Sequence, residues 1–277
     1  MRREISFVKV SPTQNMTILV KSNHDEGEYA PIAVRMMSYD NVYAEQVGFI
    51  QEKARPDADA ALQMAGGEFC GNACMALAVL MANQQDLHPS GSQSIILEAS
   101  GTDQLIDCVV TRTEESYLCQ ARMPLPLKLE TKIFRYSGNE YMVGLIQYSD
   151  FLHVVVEVRQ FTNPVKKIAH SLAKLLEITS DNQLIGILLF KPSSNELLPL
   201  IYIPALDSMV WERGCGSGSA SLGAYMAWKN KASFEGAIQQ PGGIIGVLAH
   251  LEQEELVSLS ISGHVNIVAE GTAYIDL

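Results

Sequence analysis

The pattern of apolar and polar residues predicts a chain that is rich in short β-strands. Residues 4–10 (EISFVKV) alternate with a period of two, which is typical of a strand with one buried face. Comparable short runs predict further strands at 17–20, 47–50, 94–97, 104–110, 117–121, 140–147, 152–158, 184–190 and 198–203. Because helical segments are few and lie between groups of strands, we predict an α+β fold.

Four segments have a helical pattern, at 29–37, 73–83, 165–178 and 219–228. The third of them is amphipathic, as expected for a helix on the surface of a sheet. The second and the fourth are apolar on nearly every side, so each must be buried all round. We therefore predict two pseudo-symmetric halves, each a curved β-sheet or barrel wrapped around a central buried helix.

The order of predicted elements occurs twice: strands, helix, strands, turn, helix, strands. This order indicates an internal duplication whose two copies have diverged in sequence. The segment Met123-Pro124-Leu125-Pro126 is rich in proline and lacks a strand pattern, which is typical of a linker. We expect an N-terminal half at 1–122, joined by the final strand at about 265–277, and a C-terminal half at 127–264.

Composition narrows the class of protein. The chain has 277 residues, of which 47% are hydrophobic and 18% charged, so a large core is expected. Its net charge of −11 argues against nucleic acid and anionic membranes as partners. The N-terminus does not resemble a signal peptide, and no apolar run approaches the roughly 20 residues of a membrane span. We expect a cytoplasmic protein with five reduced cysteines and no zinc site.

Two similar motifs, one in each half, carry the candidate chemistry. They are Phe69-Cys70-Gly71-Asn72-Ala73 and Gly214-Cys215-Gly216-Ser217-Gly218, and each places a Cys-Gly pair directly before an apolar helix. Helix N-termini carry partial positive charge, so we expect these thiols to ionise readily and nearby N–H groups to bind a carboxylate. If both helix starts face one cleft, one sulfur can remove an α-proton and the other can return a proton to the opposite face. That chemistry is racemisation without a cofactor. Cys74, Cys108 and Cys119 have the pattern of core residues.

These motifs resemble the diaminopimelate epimerase and proline racemase superfamily along the whole chain. The likeness rests on Asn15, Cys70-Gly71-Asn72, His153, Cys215-Gly216-Ser217-Gly218 and Pro241-Gly242-Gly243. Within the superfamily, the chain is most similar to the histidine racemases of staphylopine-type metallophore biosynthesis. That similarity also includes residues 45–50 (EQVGFI) and 199–204 (PLIYIP). It implies cofactor-independent interconversion of L- and D-histidine, with D-histidine supplied to an opine-type metallophore.

The resemblance implies a role for each candidate residue. Cys70 and Cys215 are the catalytic pair, and the supporting residues are Glu45, His153 and Glu212. The expected substrate-binding residues are Asn15, Gln46, Gly71, Asn72, Gly216, Ser217 and Gly218. Without the resemblance, Glu45 has the pattern of a solvated charge at a strand end and His153 that of a structural histidine. Glu212 lies three residues before Cys215, so it either orients that thiol or binds the substrate ammonium group, or it is a surface charge.

Other functions stay open at this point. Diaminopimelate epimerases have a longer segment between Glu-Arg-Gly and the second cysteine, whereas here Glu212-Arg213-Gly214 directly precedes Cys215. This departure favours a smaller, non-acidic substrate. Phenazine-type isomerases lack the cysteine pair, a non-enzymatic binding protein would not need both thiols, and a redox role would pair them as a disulfide. The expected partner is a small amino acid, and exposed strand edges are compatible with a homodimer.

Overall fold

The protein forms two compact units in a computed structural model that describes residues 2–136, 138–180 and 182–277. Unit 1 contains the residues up to Arg122 together with Ser262–Leu277, and unit 2 contains Met123–Ile261. Strands and helices occur together in both units, which confirms the α+β class. No helix in the described part of the chain has both the length and the apolar character needed to cross a membrane.

Unit 1 contains seven complete strands and two α-helices among its described residues. They are β1 (Arg2–Pro12), β2 (Thr17–Val20), α1 (Glu26–Met37), β3 (Gln46–Gln51), β4 (Ala60–Met64), α2 (Gly71–Gln84), β5 (Ser92–Ala99), β6 (Ile106–Arg112) and β7 (Tyr117–Arg122). The last strand of the chain, β16 (Glu255–Asp276), pairs antiparallel with β1 over residues 265–276.

Unit 2 has a comparable set of elements in its described residues. They are β8 (Lys128–Tyr136), β9 (Asn139–Gln147), β10 (Phe151–Glu157), α3 (Asn163–Thr179), β11 (Leu184–Lys191), β12 (Glu196–Ile203), β13 (Ser208–Trp211), α4 (Gly216–Asn230), β14 (Phe234–Gln240) and β15 (Gly243–Glu252). The beginning of β16 belongs to this unit as well.

Each helix connects two parallel neighbouring strands. In unit 1, α1 connects β2 to β3 and α2 connects β4 to β5. In unit 2, α3 connects β10 to β11, and α4 together with the short strand β13 forms the connection from β12 to β14. Parallel neighbours require such a crossover, whereas the hairpins β5–β6, β6–β7 and β14–β15 are antiparallel. Both units therefore contain two crossovers between parallel strands, and β13 adds an antiparallel strand to unit 2 before α4.

The two helix pairs differ in how they are buried. Helices α1 and α3 are amphipathic and place one face on the sheet, with Ile32 and Met36 in one core and Ala169 and Leu172 in the other. Every residue from 73 to 80 of α2 and from 216 to 225 of α4 is buried. Helix α4 approaches β15 closely, because a Cβ on Gly223 would lie 2.4 Å from Val247 Cγ1.

Candidate active site

Cys70 is the N-cap residue of α2. Its backbone is extended, with φ −134° and ψ 105°, and its Sγ accepts the Ala73 N–H at 3.4 Å. Its carbonyl accepts the Cys74 N–H at 3.1 Å, which is the first bond of the helix. The helix therefore begins at Gly71, two residues before the predicted start, because the cysteine caps it. Cys70 is half-buried.

A buried amide network lies next to the Cys70 thiol. The thiol donates to Gln46 Oε1 at 2.9 Å, and Gln46 Nε2 donates to Asn15 Oδ1 at 2.6 Å and to Thr17 Oγ1 at 2.8 Å. Asn15 and Thr17 are fully buried, and Gln46 is almost so. Because two acceptors fix the Nε2 end of the amide, its oxygen faces the thiol. The structure thus brings together three residues predicted from the sequence, Asn15, Gln46 and Cys70.

Two carboxylates flank this network along the chain. Glu45 precedes β3, is half-buried, and donates its N–H to the Met16 carbonyl at 2.8 Å. Glu68 lies two residues before Cys70 and is 2% exposed. Burial raises the pKa of Glu68 to about 7, although its carboxylate accepts its own N–H and that of Gly66. Asn72 is buried in the first turn of α2.

Cys215 is the N-cap residue of α4 and has nearly the same geometry as Cys70. Its backbone has φ −113° and ψ 108°, and its Sγ accepts the Gly218 N–H at 3.4 Å. Ser217 Oγ lies 3.7 Å from the sulfur. A Cβ on Gly218 would be 2.9 Å from Leu188 Cδ2 and 3.1 Å from the sulfur, so glycine allows this close approach. Gly216 begins the helix.

The Glu212 carboxylate is hydrogen-bonded to the Cys215 thiol. Burial and the negative charge of Glu212 raise the pKa of Cys215 well above its usual value, and the N–H of Gly218 opposes this only in part. The expectation that the helix N-terminus makes this thiol ionise readily is therefore wrong for Cys215. Desolvation and a neighbouring carboxylate outweigh the hydrogen bonds of Gly218 and Ser217 to this sulfur. Glu212 itself is buried, so its interpretation as a surface charge is also wrong.

His153 lies on β10, directly opposite Gly186 on β11, and is fully buried. Its Nδ1 is hydrogen-bonded to Ser221 Oγ at 2.7 Å, and Ser221 Oγ is 2.8 Å from the Tyr148 hydroxyl. Burial lowers the pKa of His153 to about 3, so the ring is neutral at physiological pH. The hydrogen bond to Ser221 thus connects His153 to helix α4. A role in setting thiol protonation stays a prediction.

The other three cysteines are buried, which confirms their interpretation as core residues. Cys74, Cys108 and Cys119 are each at most 1% exposed. Burial raises the pKa of Cys74, and a hydrogen bond with Cys108 together with burial raises the pKa of Cys119. In the described residues no group of three or more His, Cys, Asp or Glu side chains is arranged to hold a metal ion.

Comparison with known proteins places the chain in a family. The family model described as the histidine racemase CntK N-terminal domain matches residues 4–274. A histidine racemase of Staphylococcus aureus is 34% identical over 277 residues, which is 99% of both chains. A histidine racemase of Fusobacterium nucleatum is 32% identical and covers 98% of this chain and 97% of its own. The chain belongs to the histidine racemase family. It is an amino acid racemase.

Solved structures agree with the fold of this racemase. A hydroxyproline epimerase from Agrobacterium vitis superposes with a TM-score of 0.72 at 12% identity, covering 99% of this chain and 92% of that one. A predicted epimerase from Pseudomonas aeruginosa gives a TM-score of 0.65 at 12% identity, with 99% of both chains covered.

Sequence reasoning missed several residues of the racemase that contact the cysteines or their helices. Thr17 fixes the Gln46 amide, Ser221 bonds His153, and Gln240 bonds the backbone of Cys215. The signal for Gln240 was its place directly before Pro241-Gly242-Gly243, because a residue that ends a strand before a tight turn has a fixed direction. Ser221 carries no local signal, since a serine within an apolar helix usually bonds its own backbone.

Proposed function

We propose that the protein is a cofactor-independent histidine racemase that uses Cys70 and Cys215 as its two acid–base groups. The observation that carries the proposal is the matching place of the two thiols. Each caps a buried helix between parallel strands, and each sulfur accepts the N–H three residues later at 3.4 Å. Membership of the histidine racemase family supports histidine as the substrate.

In the proposed reaction the two thiols act on opposite faces of the substrate Cα. One sulfur, as thiolate, forms an S–H bond while the Cα–H bond breaks, and the electron pair spreads into the substrate carboxylate. The other thiol then gives its proton to the opposite face. N–H groups in the first turns of α2 and α4, which contain Gly71, Asn72 and Gly216 to Gly218, would stabilise the charge on the carboxylate.

The side chains next to the two thiols support different proton-transfer roles for Cys70 and Cys215. Glu212 carries a carboxylate that can take the proton of Cys215, so this pair can generate a thiolate. Gln46 offers an amide oxygen, which accepts the Cys70 hydrogen bond but cannot take its proton. Because burial and the charge of Glu212 keep the proton on Cys215 at rest, we assign Cys215 as a thiol that passes its proton to Glu212 when it acts as the base, with Cys70 as the acid. Each turnover exchanges these states.

The proposal includes the wider architecture. We propose that the two units are diverged copies of one plan, with a sheet wrapped around α2 in one copy and around α4 in the other, and with domain boundaries near residues 122 and 127. The shared order of elements and the shared parallel crossovers support this view. So do the contacts of α2 with β1, β2 and β4 to β7, and those of α4 with β9 to β11, β14 and β15.

A chiral assay on the purified protein tests the activity. L-histidine is incubated without added cofactor, and D-histidine is measured by chiral chromatography, beside L-proline, L-glutamate and diaminopimelate. We expect D-histidine to form fastest, and hydroxylamine, which traps carbonyl cofactors, to leave the rate unchanged. Turnover of diaminopimelate in place of histidine would contradict the substrate assignment.

A further proposal concerns the use of the product. D-histidine would supply an opine-type metallophore, and the likeness of the sequence to racemases of that biosynthesis supports it. Cells that lack the enzyme should lose the chelator and regain it when D-histidine is added. Undiminished chelator in such cells would contradict this place in metabolism.

A further inference from the structure

Gln240 ends β14 and lies inside unit 2 beside the N-terminus of α4. It is 3% exposed. Its Oε1 accepts the Cys215 N–H at 2.8 Å, and its Nε2 lies 3.4 Å from the Cys215 carbonyl oxygen. One neutral amide therefore bonds both backbone groups of a residue that we place in the reaction.

Ser219 completes the arrangement. Gln240 Nε2 donates to Ser219 Oγ at 2.6 Å, and Ser219 Oγ donates to the Cys215 carbonyl oxygen at 2.7 Å. The same carbonyl accepts the Ser219 N–H at 3.0 Å. Bonds on both sides of its Cα hold the φ and ψ angles of Cys215, so the direction of its Cα–Cβ bond is fixed.

The turn after Gln240 is attached to the same short segment. The Gly242 N–H donates to the Arg213 carbonyl at 2.6 Å, and Arg213 Nη2 donates to the Pro241 carbonyl at 3.3 Å. Residues 240–242 and 213–215 are thus joined by side-chain and backbone bonds in both directions. Because these hydrogen bonds hold the backbone of Cys215, rotation about χ1 is the main freedom that its side chain keeps.

From these contacts we infer that Gln240 is a positioning residue for Cys215, acting through its backbone. The inference rests on the proposed function, in which the sulfur must meet a Cα–H bond along a narrow line. Misplacement of a reacting group by about 1 Å costs roughly 10²-fold in rate. A positioning residue should therefore affect kcat and the reactivity of Cys215 far more than substrate affinity.

The test compares Gln240→Leu with Gln240→Glu and with the matched control Gln239→Leu. The carboxylate in Gln240→Glu would keep one oxygen for the Cys215 N–H, whereas Gln240→Leu loses every amide bond. Gln239 is exposed, and its amide donates to the backbone carbonyls of Gln240 and Gly243. Circular dichroism and thermal melting establish that each variant is folded.

Two readouts decide the role. Iodoacetamide labelling without substrate, read by peptide mass spectrometry, should change at Cys215 by at least about threefold in Gln240→Leu while Cys70 labels at the wild-type rate. The kcat for racemisation should fall by at least about tenfold with KM within about threefold, and Gln240→Glu should recover part of it. Folded Gln240→Leu that matches Gln239→Leu in both readouts would overturn the inference.

Smaller changes and the labelling readout test the role of Gln240 even if Gln240→Leu does not fold or the wild type is inactive. If Gln240→Leu does not fold, Ser219→Ala and Gln240→Glu test the same bonds with smaller changes, and wild-type labelling and kcat in both would overturn the role. Labelling needs no turnover. If the wild type racemises nothing, the proposed function fails, and the labelling comparison alone decides the role of Gln240.

Discussion

The Cys70 thiol donates a hydrogen bond to Gln46 Oε1 at 2.9 Å. The amide is held in this direction by Asn15 and Thr17, which accept from its nitrogen. An uncharged acceptor beside one thiol, and a carboxylate beside the other, gives the two cysteines different surroundings. Changes to the two neighbours should therefore affect the two thiols in different ways.

Replacement of Gln46 by glutamate should slow racemisation. The new carboxylate opposes ionisation of Cys70 during turnover and cannot donate to Asn15 or Thr17. We expect kcat/KM for histidine to fall by at least about tenfold in Gln46→Glu. The control is Gln63→Glu on β4. It adds the same charge to unit 1, at a side chain whose amide donates to the backbone carbonyl of Met64. A Gln46→Glu enzyme as active as this control would contradict the role of the amide.

Replacement of Glu212 by glutamine should lower the pKa of Cys215 and also lower the kcat for racemisation. The charge of Glu212 helps to raise the pKa of Cys215, so Glu212→Gln should shift the alkylation profile of this thiol to lower pH. Loss of the proton acceptor should reduce kcat by about 10²-fold. Glu196→Gln removes a half-buried carboxylate that pairs with Lys191 and serves as the control. An unchanged alkylation profile would count against the contact.

The buried carboxyl of Glu68 should make stability fall as pH rises. Its pKa is raised from 4.5 to about 7 in the folded protein, so the folded state binds more protons between these values. The stabilisation is complete below about pH 4.5 and is lost as pH rises through about 7. The linked change approaches about 3 kcal/mol at pH 8.

Urea unfolding of wild type and Glu68→Gln at pH 5 and pH 8 measures this effect. Between pH 5 and pH 8 the free energy of unfolding should fall less in the variant than in the wild type, because glutamine has no proton to lose. Glu130→Gln, at a half-buried surface carboxylate that pairs with Lys128, should follow the wild type. Parallel pH dependence of wild type and Glu68→Gln would show that the Glu68 carboxyl does not titrate in this range.

Gly186 should not tolerate a side chain. A Cβ there would lie 2.3 Å from Cδ2 of His153, which would have to move away from Ser221. Gly186→Ala should lower the free energy of unfolding by about 1–3 kcal/mol. Gly27→Ala is the control, because a Cβ on this residue of α1 meets nothing within 4 Å. It should be neutral or slightly stabilising. Equal melting temperatures for the two variants would contradict the packing.

The sequence predicted the elements that have a clear pattern and missed those that do not. The apolar segment at 73–83 and the amphipathic one at 165–178 correspond to α2 and α3. Strand β8 was missed because most of its side chains are exposed, so its apolar residues do not alternate. Strand β4 was missed because it is short and begins with two alanines, which have low strand propensity.

The chemistry of the site was only partly readable from the sequence. The two N-cap cysteines follow from local signals, a Cys-Gly pair before an apolar helix. The protonation of Cys215 does not, because it depends on burial and on the Glu212 side chain. The partner of Cys70 was equally hidden, since Gln46 lies 24 residues before it in the chain. Such contacts are created by the fold and have no signature in local sequence.

The most direct test of the central claim is racemisation of L-histidine in heavy water by the wild type, Cys70→Ser and Cys215→Ser. The buried core thiol in Cys74→Ser is the matched control. The account predicts D-histidine with solvent deuterium at Cα from the wild type and the control, and loss of at least about 10²-fold in rate in each of the other two variants. Wild-type racemisation by either Cys70→Ser or Cys215→Ser, or D-histidine that keeps its original Cα proton, would contradict the two-thiol mechanism.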